Sequence, residues 1–133
     1  MSRLIAWLRT LFQRESSLSK DSVGRWGEEE AARFLRQCGY RILERNWRVN
    51  IGEIDIVASK GGQVAFVEVK ASVKLAAISP EMRVGAQKQR KLRALAQAYL
   101  QGKKEEPDSI RFDVISVWRE GNETKIEHFE NAF

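Results

Sequence analysis

The chain has one cysteine, one histidine and two prolines in 133 residues. A lone cysteine, Cys38, excludes an intrachain disulfide and fits a reducing compartment, so the cytoplasm is the expected location. A lone histidine, His128, in an acidic C-terminal stretch argues against zinc clusters and Ser-His-Asp triads. Catalysis, if present, must run on carboxylates and lysine, with or without a metal. No apolar run approaches the ~20 residues that span a bilayer. The opening segment, MSRLIAWLRTLFQRESSLSK, has Arg9 inside its apolar region and lacks a small-residue cleavage site, unlike a signal peptide. Internal repeats and low-complexity segments are also absent.

What is present is enough for one compact domain. At 43% hydrophobic and 31% charged residues, the chain can bury a core and stay soluble. The net charge of +5 and pI near 9.6 lean toward polyanionic partners, nucleic acid or an anionic membrane.

Leu4, Ile5, Leu8, Leu11 and Phe12 recur at helical spacing, with Arg3, Arg9 and Arg14 off that stripe. Residues 1–20 thus read as an amphipathic arm and linker ahead of a domain over 21–133. The arm is expected to pack on the domain or on a second copy; membrane-surface contact through residues 1–14 is the lesser alternative. A helix is predicted from about Ser22 to Cys38, with Asp21 or Ser22 as N-cap and Gly39 as the stop. Its buried stripe is Val23, Gly27, Ala31, Phe34, Leu35 and Cys38, which puts Cys38 in the core. Glu28 lies at the edge of the stripe, ~100° around from Gly27, where it can look toward a sheet.

Strands are predicted over 40–49, over a hairpin formed by GEIDIVA and QVAFVEVKA, and over 110–118, with TKIEHF as a short edge strand. A loop over about 72–82 leads into a long helix from about Val84 to Gln101, ended by Gly102. The order gives an α/β fold: one mixed sheet with helices packed on it.

The hairpin carries the chemistry. Gly61-Gly62 suits a two-residue turn with φ > 0 at both positions, pairing Lys60 with Gln63. Counting back, Ile56 meets Val67, Asp55 meets Glu68, and Glu53 meets Lys70. Two carboxylates ~5 Å apart on neighbouring strands repel by about 3 kcal/mol at an effective dielectric near 20. A proton, a lysine or a divalent cation would relieve that cost. Carboxylates, a backbone carbonyl and waters form the hard-oxygen set that suits Mg²⁺ or Mn²⁺. Lys70, two residues after Glu68, leans into the same place. A surface salt-bridge cluster with a Glu53–Lys70 pair is the plainer alternative.

The spacing G-E-I-D-I-V, turn, F-V-E-V-K resembles the PD-(D/E)xK phosphodiesterase superfamily, which includes restriction endonucleases and Holliday-junction resolvases. The match is closer to the small bacterial YraN-like family of predicted endonucleases, over about residues 22–118. GRWGEEEAARFL resembles that family's first helix, GYRILERNWR its first strand, and RFDVISV its later strand. The resemblance implies a restriction-endonuclease-like αβββαβ core. It implies Asp55 and Glu68 as metal ligands, Lys70 as the catalytic lysine, Glu28 as a helix-borne acid completing the site, and DNA as substrate. Resolvases of the superfamily act as dimers, which by analogy raises a homodimer. After VEVK the family usually continues Thr-Arg, where this chain has Ala71-Ser72.

Between Met82 and Lys104 there is no acidic residue, whereas Glu120, Glu123, Glu127 and Glu130 crowd the C-terminal segment. Lys88, Arg90, Lys91 and Arg93 are therefore the expected nucleic-acid-binding residues, through the phosphate backbone. Lys88 lies on the line of Leu92, Leu95 and Tyr99, so it either snorkels outward or projects toward the carboxylates, and the resemblance favours the second. Two function classes follow: a metal-dependent endonuclease acting on branched or other DNA, and a non-catalytic nucleic-acid- or protein-binding module on the same fold.

Overall fold

The computed structural model describes residues 21–73 and 84–133. The arm over 1–20 and most of the loop over 72–82 fall outside those residues. The described residues form helix α1 (21–37), strands β1 (Arg41–Val49), β2 (Gly52–Lys60) and β3 (Gln63–Ser72), helix α2 (Ala86–Gln101), and strands β4 (Ser109–Glu120) and β5 (Glu123–Phe129). One sheet holds the strands in the order β1-β2-β3-β4-β5. β3 and β4 run parallel and the other neighbours antiparallel. This is the restriction-endonuclease-like αβββαβ core, extended by β5 at the edge. None of the described helices is long and apolar enough to cross a membrane.

The helices cover opposite faces of the sheet. In β3, Ala65 and Val67 pack with Ala31, Ala32 and Leu35 of α1, while Val64 and Phe66 pack with Leu92, Leu95 and Tyr99 of α2. The alternation is what a strand buried on both sides requires.

α1 ends where Gly39 takes φ +90, with Tyr40 N–H on Leu35 O and Gly39 N–H on Arg36 O, the two bonds of a Schellman stop. Asp21 and Ser22 are already helical, so neither is the N-cap expected of them. Cys38 is exposed, not core. The helix closes one residue before it, and the stop turns it past the edge of the sheet, where Lys60 Nζ bonds its carbonyl at 2.6 Å. Ala32 is buried instead.

Gly27 fixes how closely α1 lies on the sheet. A Cβ there would stand 2.3 Å from the Ala71 Cβ, so helix and strand touch through two residues with almost no side chain. That contact sets Glu28 beside the C-terminal end of β3.

The hairpin turn is as expected, with Gly61 at φ +57, Gly62 at φ +79 and Lys60 paired with Gln63. The ladder continues to Ile56↔Val67 and stops there. The expected Asp55–Glu68 and Glu53–Lys70 ladder pairs do not form. Beyond Ile56 the arms part, and Ile54 joins the α2-side core although Ile56, two residues on, joins the α1-side core. The two-residue alternation is thus broken across Asp55.

Candidate metal and nucleic-acid site

The acidic residues gather in the fork where β2 and β3 separate. Asp55 Oδ2 accepts the Val69 backbone N–H at 2.9 Å, a bond that replaces the missing ladder pair and turns the carboxylate into the fork. Burial is the main force raising its pKa, and the negative charge of Glu68 adds to it. Glu28 and Glu53 push the same way more weakly, and the Val69 N–H opposes them. The outcome is a carboxyl pushed up to about 7. Burial and the neighbouring acids thus outweigh the one N–H that Asp55 accepts.

Glu68, only 7% exposed, is better provided for. Lys70 Nζ lies 3.4 Å and Lys88 Nζ 3.5 Å from the same oxygen, Oε1. Lys88 thus reaches inward from the first turns of α2. Glu53 is drawn the other way, to Arg48 on β1, rather than to Lys70. Glu28 is half-buried on α1 and close enough for its charge to act on Asp55. The structure thus brings Asp55, Glu68, Lys70, Lys88 and Glu28 to one end of the sheet.

The other basic residues of α2 fan out. The Lys91 chain lies over Gly52, with Cε 2.8 Å from where a Cβ would be. Arg90 is exposed. The Arg93 guanidinium lies over the rings of Phe112 and Phe133, at 5.5 and 5.4 Å from their centroids, on the opposite flank. Lys88 and Lys91 border the fork, whereas Arg93 packs against the C-terminus.

Donor chemistry decides whether a divalent ion fits. Among the described residues no three His, Cys, Asp or Glu side chains converge into a ready cage. Mg²⁺ does not require one, because it usually keeps several waters and takes one or two carboxylates. Asp55 and Glu68 are the two carboxylates that could meet that smaller demand. Two open grooves, of about 490 and 670 Å³, lie at the far end of the sheet near Tyr99 and Pro107, away from these acids.

One cluster escaped the sequence reading. Asp113 is fully buried on the α1 face of β4. It takes Arg111 Nε at 2.8 Å, His128 Nε2 at 2.7 Å and the Asn131 N–H at 3.1 Å. Arg111 also bonds Tyr40 Oη at 2.5 Å and Gln63 Oε1 at 2.6 Å. Burial would raise the Asp113 pKa, but the donors outweigh it and hold the carboxyl below its ordinary value. The signal was in RFD: two charges of opposite sign, two apart, on one face of a strand read as central.

The profile described as "Uncharacterised protein family UPF0102" matches residues 27–117, from within α1 to within β4, and includes Glu28, Asp55, Glu68, Lys70 and Lys88. The chain belongs to that family. A UPF0102 protein of Syntrophotalea carbinolica is 46% identical over 112 residues, covering 84% of this chain and 91% of the relative. One of Desulforamulus reducens is 43% identical over 120 residues, covering 87% and 98%. The profile match ends before β5 and the tail.

Proposed function

We propose that this family member is a metal-dependent endonuclease of the PD-(D/E)xK type, hydrolysing phosphodiester bonds in DNA. The observation that carries the reading is the contrast between two aspartates. Asp113 has its charge matched by donors, while Asp55, buried and beside Glu68, has one backbone N–H and is pushed up to about 7. A carboxylate in that setting is placed to receive a cation.

Asp55 and Glu68 would hold Mg²⁺ or Mn²⁺. When bound, such an ion supplies Lewis-acid stabilisation at a phosphoryl oxygen and a more acidic water. Lys70 donates from the Glu68 side, where it can orient the attacking water or stabilise charge on the phosphate. Lys88, also on Glu68, is placed to take a phosphate oxygen once the carboxylate has another partner. Glu28 would add negative charge from α1. Lys91 and Arg90 offer exposed cations to the flanking backbone.

The test is cleavage of duplex, single-stranded, flapped and branched DNA with Mg²⁺ or Mn²⁺. Asp55→Ala and Glu68→Ala are expected to abolish cutting while the circular dichroism spectrum stays native. A wild-type protein that cuts none of these substrates would count against the reading. The two lysines already neutralising Glu68 favour a second one, a non-catalytic nucleic-acid-binding module. Calorimetric titration separates the two: saturable Mg²⁺ or Mn²⁺ binding that is lost in Asp55→Asn supports the enzyme, and no binding supports the module.

A further inference from the structure

Three large apolar side chains are strongly exposed among the described residues: Ile51 and Val73, both at 52%, and Ile110 at 43%. Ile110 sits opposite Val64 near the start of β4, at the far end of the sheet. The other two are at the near end. Ile51 immediately precedes β2 and Val73 immediately follows β3. They therefore tip the two arms that diverge beyond Ile56↔Val67, with Asp55, Glu68 and Lys70 in the crotch between.

A lone exposed isoleucine is ordinary on a protein surface. This one stands on a turn whose shape is pinned. Gly52 holds φ +148, and the Lys91 chain fills the space where its Cβ would be. Cations also flank the tip: the exposed Arg48 on the β1 side, which is paired with Glu53, and the Lys91 ammonium 3.4 Å from that same Cβ position. An apolar tip between cations, four residues from Asp55 and so ~13 Å away along β2, matches one ligand chemistry. The cations suit phosphates, and the isoleucine suits the face of a base. An uninterrupted duplex turns its phosphates outward and keeps its base faces stacked away. Base faces become available only where stacking is broken.

We propose that Ile51 is a base-contacting, specificity-determining residue, packing on an unpaired base within a few nucleotides of the phosphate held in the fork. The protein then prefers DNA with an unstacked nucleotide beside the cleavage point over continuous duplex. The cleavage point rests on the nuclease reading, whereas the base contact is measurable without it.

The experiment uses the full chain in EDTA, so that no strand is cut, and oligonucleotides with 2-aminopurine placed either in a short single-stranded gap or within duplex. Wild type is expected to change the fluorescence of the unpaired probe and to bind gapped DNA roughly fivefold or more tightly than duplex. Ile51→Ala should lose the fluorescence change and most of that preference, with duplex affinity unchanged. Ile51→Leu should keep both. An Ile51→Ala protein that retains the signal and the preference overturns the proposal, as does a wild type that binds neither DNA. Mg²⁺-dependent cleavage is then measured on the same oligonucleotides. Cutting without any Ile51 effect removes the base contact and leaves the nuclease. A base contact without cutting does the reverse.

Discussion

At the scale of single residues, Asp55 and Arg93 show how neighbours decide what an ordinary side chain can do. Asp55 keeps its proton up to about 7 in the folded, metal-free chain, against an ordinary value of 3.8. The unfolded chain releases that proton near 3.8, so this group favours the fold at low pH and loses that contribution as pH rises to about 7. The slope is at most about 1.4 kcal/mol per pH unit. Asp55→Asn should therefore raise the melting temperature of metal-free protein at pH 8 and change it little at pH 4. A divalent ion must displace the proton, so Mg²⁺ affinity should fall up to about tenfold per pH unit below 7. Calorimetric titration at pH 6, 7 and 8 checks this, and an affinity flat across that range would contradict it. Arg93 makes the complementary case. Its charge was part of the expected DNA footprint, yet its guanidinium lies on Phe112 and Phe133. Arg93→Ala should cost about 0.5–2 kcal/mol of stability with little effect on DNA affinity. Lys91→Ala should do the opposite, lowering the salt slope of binding by about 1. Denaturant titration and binding at several salt concentrations separate the two.

At the scale of elements, the fork is made by helix placement as much as by the hairpin. α1 can lie close enough to carry Glu28 to the end of β3 only because Gly27 meets Ala71 there. Gly27→Ala gains about 1 kcal/mol in helix propensity but forces two methyl groups into one space, at a cost of about 1–3 kcal/mol. The net expectation is a small loss of stability and, on the proposed nuclease reading, a marked loss of cleavage, since Glu28 moves with the helix. Ala71→Gly in the same chain should restore activity, and failure of that rescue would remove Glu28 positioning as the reason for the glycine. The order of elements was legible because each local signal agreed with the fold. Gly61-Gly62 could only be a turn between two β-branched runs, and Gly39 and Gly102 closed helices at the right places. The fork was not legible. A turn sets register near itself, and counting outward assumes that the ladder continues. Here Asp55 captures the Val69 N–H and ends the ladder at Ile56↔Val67. The carboxylates still meet as a charge cluster, but by side-chain reach rather than by facing each other across a ladder. Cys38 was misplaced for a related reason, since periodicity says which way a residue points but not where the partner sheet stops.

Across the whole molecule, the sheet separates two acid clusters onto different faces and treats them oppositely. The α2 side carries Asp55 beside Glu68, and the α1 side carries the balanced Asp113 cluster. The balanced cluster ties the core together. Through Arg111 it reaches Tyr40 after α1 and Gln63 at the start of β3, and through His128 and Asn131 it holds β5 and the tail. Removing the Asp113 charge would leave Arg111, whose side chain is 7% exposed, with only the exposed Glu130 carboxylate, 3.8 Å away, to balance it. Asp113→Asn should therefore cost about 3–5 kcal/mol at pH 7, measured by denaturant unfolding. The folded Asp113 pKa is lowered from 3.8, so its contribution is complete above that value and is lost as pH falls through the lowered one. The gap between wild type and Asp113→Asn should accordingly close under acid conditions. Adding Arg111→Gln should restore part of the loss, because the uncompensated charge goes with it. A cost below about 1 kcal/mol at pH 7, or a double variant as weak as the sum of the single ones, would mean that the network does not bind the two halves of the fold as its geometry implies.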